Sequence, residues 1–98
     1  MGALAHERLL VRIPAQFAPQ TRDVLVRCWD ALSVREQEVT ALSCLGYTNR
    51  QIAGRLGIAE ETVKTHVKNA LVKFGLHGKA ELRRVLEGWD FSGWERRN

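Results

Sequence analysis

Three glycines, Gly46, Gly57 and Gly75, each close a run of apolar residues spaced as on one face of a helix. Glycine enters the left-handed backbone region that ends many helices at little steric cost. Before Gly46 the face is Val39, Ala41, Leu42, Cys44 and Leu45, and before Gly57 it is Ile52, Ala53 and Leu56. Before Gly75 it is Val63, Val67, Ala70, Leu71 and Phe74, which fall at i, i+4, i+7, i+8 and i+11. Such punctuation demands short helices joined by tight turns.

The starts are marked as clearly as the stops. Ser33 has Glu36 three residues on, and Thr48 has Gln51. The first pair is a capping box, in which hydroxyl and carboxylate each satisfy an orphan backbone N–H, and Thr48 caps the second helix. The pattern predicts helices over 34–45, from Thr48 to Gly57, and over 60–74. Glu60 and Glu61 suit the positive dipole end of the last of these. A further helix is predicted over 79–89, buried through Ala80, Leu82, Val85 and Leu86. Upstream, "TRDVLVRCWDAL" predicts a helix over 21–31 capped by Thr21, and a short one is expected over 4–12. Pro14 and Pro19 separate the two. The fold class is all-α.

The chain has 98 residues, enough for one small domain. No apolar run approaches the ~20 residues that span a bilayer, and no secretory leader is apparent. A cytoplasmic protein without membrane contact is expected. Cys28 and Cys44 read as small buried thiols. His6, His66 and His77 are scattered, so neither a metal site nor a cofactor is expected. No Ser, Cys or acid pairs with a histidine in a catalytic arrangement, so no enzyme is expected.

Charge is informative through its location. Lys+Arg number 15 and Asp+Glu 11, a net of +4. Residues 1–47 and 80–98 each balance. Residues 48–79 hold Arg50, Arg55, Lys64, Lys68, Lys73 and Lys79 against Glu60 and Glu61, so the whole excess lies there. A localised basic stretch calls for a polyanionic partner.

That stretch contains two helices about a tight turn. Ala53 is small where helices must approach, Gly57 makes the turn, Ile58 anchors it, and Val63 fixes the second helix on the first. This is the helix-turn-helix pattern, whose second helix enters the major groove of DNA. With the Val63–Phe74 stripe turned inward, Thr62, Lys64, Thr65, Lys68 and Asn69 face out. No acid occurs between Thr62 and Leu76. A helix needing only solubility mixes signs and uses Glu–Lys pairs.

The segments "REQEV", "GYTNRQIAGRLGI", "ETVKTHVKNALVKFG" and "KAEL" together resemble the LuxR/NarL/GerE-type DNA-binding domain of bacterial transcription regulators. The resemblance runs from Leu32 to Leu86. It implies a four-helix domain whose third helix reads DNA, in dimers on two-fold-related half-sites, with the fourth helix aiding the dimer. Lys64, Thr65 and Lys68 match base-reading positions. Asn49, Arg50, Thr62 and His66 match positions at the phosphate backbone. His66 is balanced between that role and a half-buried spacer. Thr48 (first of all a cap), Asn69 and Lys73 join the expected backbone contacts, with Lys79 at the rim. Arg35 and Glu38 match positions of internal polar bonding. Three departures stand out. Ala59 replaces a capping Ser or Thr, at ~1 kcal/mol. Gln51 replaces Glu, and Gly54 costs about 1 kcal/mol within its helix.

The expected organisation is an N-terminal extension over 1–31, the DNA-binding domain over 32–89 and a tail over 90–98. Trp89, Phe91 and Trp94 either complete the core or offer a dimer or partner surface. The expected function is that of a sequence-specific DNA-binding transcription regulator on double-stranded DNA, as a homodimer, with RNA polymerase a further partner. The alternatives are a sigma-factor-like promoter reader, or a protein-interaction module on the same fold. The residues before Leu32 are too few for a sensing domain of typical size. The sequence therefore reads as a stand-alone regulator or as a piece lacking its sensor.

Overall fold

A computed structural model describes residues 19–96, with side chains from Arg22 onward. Six helices follow in order: α1 Pro19–Asp30, α2 Val34–Cys44, α3 Asn49–Leu56, α4 Glu60–Phe74, α5 Lys79–Val85 and α6 Ser92–Glu95. Among the described residues there is no strand, as the all-α expectation requires. The helix expected over 4–12 lies outside the described residues.

Local chemistry sets the α2 and α3 boundaries. The Ser33 hydroxyl accepts from the Glu36 N–H at 3.1 Å, and the Glu36 carboxylate accepts from the Ser33 N–H at 2.9 Å. Thr48 and Gln51 repeat the arrangement at 3.1 and 2.9 Å. Each such cap stabilises its helix by ~1 kcal/mol. Gly57 and Gly75 end α3 and α4 at φ of 67° and 72°, in the left-handed region. Ala59, as its side chain dictates, makes no cap hydrogen bond at the start of α4.

Three boundary expectations and one of burial are corrected. α1 begins at Pro19, so Thr21 lies inside it and does not cap it. Proline's fixed φ and missing N–H suit a first helical turn. α2 ends at Cys44, which leaves Leu45 as C-cap and 37% exposed rather than on the apolar face. α5 ends at Val85, and the chain turns at Gly88 with φ 90° instead of running helical to Trp89. Ala80 is exposed.

The core has two parts. Val39, Leu42, Ile52, Ala53, Val63 and Val67 form one cluster between α2, α3 and α4. The other gathers Leu25, Leu32, Ala41, Ala70, Phe74, Leu76, Leu82, Leu86 and Phe91. The inward stripe of α4 serves both, Val63 and Val67 in the first and Ala70 and Phe74 in the second. Leu71 packs against each. The helix is thereby fixed along its length, and its outer face is set in direction.

The tail folds back on α1. Trp29 is surrounded by Trp89, Phe91 and Trp94, with ring centroids 6.0, 5.5 and 5.5 Å away. Phe91 is buried and Trp94 half-buried. Phe91 thus completes the core, and Trp89 and Trp94 pack against it. Glu95 ties the tail to the helix-turn-helix unit. Its carboxylate accepts from the Tyr47 hydroxyl and its carbonyl from Arg55, whose guanidinium lies 5.0 Å from the Tyr47 ring centroid.

Candidate nucleic-acid interface

The turn that aims α4 is built from backbone bonds. Gly57 N–H donates to the Ala53 carbonyl, and Ile58 N–H reaches the same carbonyl at 3.1 Å. At about 100° per residue, Glu61, Thr65, Lys68 and Val72 then fall in one outward stripe, with Lys64 on one flank. Thr62, His66, Asn69 and Lys73 lie on the other flank. All of these except His66 are exposed, and His66 is half-buried.

The three expected base readers thus share one accessible region. They differ in how they are held. Lys64 pairs with Glu61 at 3.2 Å, and the Thr65 hydroxyl donates to the Glu61 carbonyl at 3.1 Å. Exposed i,i+3 pairs contribute well under 1 kcal/mol, so Lys64 is easily released. Lys68 makes no hydrogen bond or ion pair within the described residues. Glu61, one of two acids at the helix start, turns its charge onto Lys64.

The expected backbone set is spread more widely. Arg50 is exposed in the first turn of α3. Thr48 is occupied as the α3 cap. The Asn49 side-chain carbonyl accepts from the Lys79 ammonium at 2.9 Å, linking the starts of α3 and α5. Burial pushes the Lys79 ammonium below its ordinary pKa, and Arg83 pushes the same way. Arg35 and Glu38 pair at 3.1 Å, in keeping with internal polar bonding.

Lys73, also expected at the phosphate backbone, is engaged within the protein. Its ammonium lies 2.7 Å from the Glu36 carboxylate and 3.2 Å from the Ala31 carbonyl. It lies about two and a half turns beyond Lys64 and on the opposite flank of the helix. The lysine joins the end of α4 to the capping box of α2. Burial alone would raise the Glu36 pKa, but the Lys73 ammonium and the Ser33 amide outweigh it and hold the carboxyl below the ordinary glutamate value. A carboxyl lowered on folding stabilises above its unfolded pKa of about 4.3 and ceases to do so as pH falls through its lower folded value. Lys73→Met is expected to cost about 1 kcal/mol at pH 7, after allowance for the lysine's exposure. The variant should also lose less stability than the parent between pH 5 and 3. Thermal melts across that range check both points; parallel curves would remove the pair from the account.

Sequence reasoning overlooked one residue on the outward stripe. Val72 is 70% exposed. It borders a cleft of about 410 Å³ whose other walls include Asn49, Lys64, Lys68, Leu76 and His77. Its spacing from Lys68 was the available signal.

Among the described residues no group of three His, Cys, Asp or Glu could hold a metal ion. Burial pushes the Cys44 thiol up to about 11, which makes it a packing residue. Among the same residues no helix is long and apolar enough to cross a membrane.

Comparison with known proteins bears on the same segment. The family model for bacterial regulatory proteins of the luxR family matches residues 30–86. The chain is 45% identical over 51 residues to the probable transcriptional regulatory protein SgaR of Hyphomicrobium methylovorum, covering 52% of this chain and 24% of that protein. It is 37% identical over 90 residues to the response regulator protein TodT of Pseudomonas putida, covering 84% of this chain and 40% of that one. A nitrate/nitrite response regulator protein homolog of Haemophilus influenzae is 44% identical over 50 residues, 51% of this chain and 24% of its own length. The chain therefore spans less than half the length of these relatives. No solved structure matches.

Proposed function

The chain belongs to the luxR family of bacterial regulatory proteins, and from that premise we propose that it is a sequence-specific DNA-binding transcription regulator. α4 enters the major groove, Lys64, Thr65 and Lys68 meet base edges, and Asn49, Arg50, Thr62, His66 and Asn69 lie along phosphates. Thr48 and Lys79 support this rim mainly by holding α3 and α5. Lys73 works inside the protein, as the partner of Glu36. The regulator acts in the bacterial cytoplasm, where RNA polymerase is its further partner.

One observation carries this proposal. A helix anchored in two core clusters presents two lysines and a threonine together, on a face free of acids beyond its first turn. Lysine donates to guanine O6 and N7, and threonine offers both a hydroxyl and a methyl. Fixed direction and exposed donors are the two things that groove reading requires. Two copies on two-fold-related half-sites would place their reading helices about one turn of duplex apart.

Selection from random duplex DNA at moderate salt tests the proposal. The expected product is an enriched motif with two-fold symmetry. Retention without enrichment would leave only non-specific phosphate binding, and sequence-specific regulation would then be ruled out for this chain.

A further inference from the structure

Val72 is the most exposed large apolar side chain among the described residues. It lies four residues beyond Lys68 and seven beyond Thr65, on the same stripe of α4. Thr65, Lys68, Asn69 and Val72 stand at i, i+3, i+4 and i+7. A helix lying in the major groove uses that spacing to reach successive base edges. The side chain belongs to neither core cluster. A β-branched residue is also a weaker helix former than Lys, Glu or Gln at an exposed site. In the free protein, then, this valine is unfavourable in both burial and propensity.

We infer that Val72 is a specificity-determining residue that selects thymine by packing on its C5 methyl. The inference deepens the DNA-binding reading above and rests on it. Valine can neither donate nor accept a hydrogen bond, so the polar edges of guanine, adenine and cytosine offer it no pairing. The thymine methyl is the apolar group among the base edges of the major groove. At 1.5 Å of rise per residue, Val72 lies about 6 Å along α4 from Lys68. That distance is close to two base-pair steps, so the contact extends the read sequence past the base met by Lys68. Lys64 and Lys68 border the same cleft as Val72, so the valine stands beside the charges that attract an anionic partner.

The test takes the site enriched by selection and replaces each thymine singly with deoxyuridine, which removes only the methyl. Affinities are measured for the wild-type chain and for Val72→Ala. At one position in each half-site, the wild type should lose about four-fold, the scale of one buried methyl group. Val72→Ala should bind the thymine site more weakly by a similar factor and show no loss with deoxyuridine there. Its thermal midpoint should be no lower than the wild type's, because the position is exposed. A thymine whose methyl matters equally to both proteins belongs to another residue, such as Thr65. If no position separates the two proteins, the inference is overturned while the regulator reading stands. If the wild type enriches no site at all, the regulator reading itself fails.

Discussion

Phe91→Ala is expected to destabilise the fold by about 3 kcal/mol, the usual cost of emptying a buried phenylalanine site. Phe91 is 5% exposed and belongs to the cluster that holds Leu25, Phe74, Leu82 and Leu86. Its ring lies 5.5 Å from that of Trp29 and 6.1 Å from that of Trp89. Truncation therefore removes dispersion contacts from both α1 and the tail, and leaves a cavity at the point where they meet. For a domain of this size such a loss lowers the melting midpoint by roughly 10–20 °C. Far-UV circular dichroism melts measure it directly. Phe91→Leu, which keeps most of the apolar volume, should recover much of the difference. An unchanged midpoint in Phe91→Ala would mean that the tail does not contribute to the core. Phe91 lies beyond the family-matched residues 30–86, and Leu25 lies before them. The cooperative unit thus reaches past that segment on both sides, and trimming the chain to the matched residues would remove part of its own core.

What could be read from the sequence was mostly what local chemistry decides. A capping box closes within four residues, and a glycine stop depends on its own φ, so α2, α3 and α4 were legible almost to the residue. The phase of the α4 stripe followed from five apolar side chains and fixed the outward direction of Lys64, Thr65 and Lys68. The sequence was silent where the deciding partner is distant along the chain. Lys73 shares the basic window with Lys64 and Lys68, and charge counting cannot tell them apart. Glu36, which engages it, lies 37 residues away. Phe91 and Trp94 remained undecided because their partner, Trp29, belongs to a helix at the other end of the described chain. Val72 escaped notice for the opposite reason. An apolar residue between Leu71 and Phe74 reads as core, and only the helix phase turns it outward.

The contrast between these lysines gives the other large effect. Lys64→Ala combined with Lys68→Ala is expected to weaken binding to the selected site by about 100-fold or more. Each good base-edge contact is worth about 1–3 kcal/mol, and 1.4 kcal/mol is ten-fold in affinity. The fold should be nearly indifferent to the change. Lys68 has no partner among the described residues, and the Lys64–Glu61 pair is exposed, with relative side-chain areas of 52% and 84%. Surface pairs of this kind contribute little to stability. Lys73→Met should show the reverse: lower stability and near-normal affinity once folded protein is compared with folded protein. Salt dependence then separates reading from charge alone. A lysine on phosphate releases a counterion, so losing it lowers the log–log salt slope by about 0.9 and weakens all sequences alike. A lysine on a base edge leaves more of that slope and relaxes one position of the motif. If the double variant binds every duplex equally less well and its motif keeps its sharpness, Lys64 and Lys68 hold the backbone. Base selection would then fall to Thr65 and Val72.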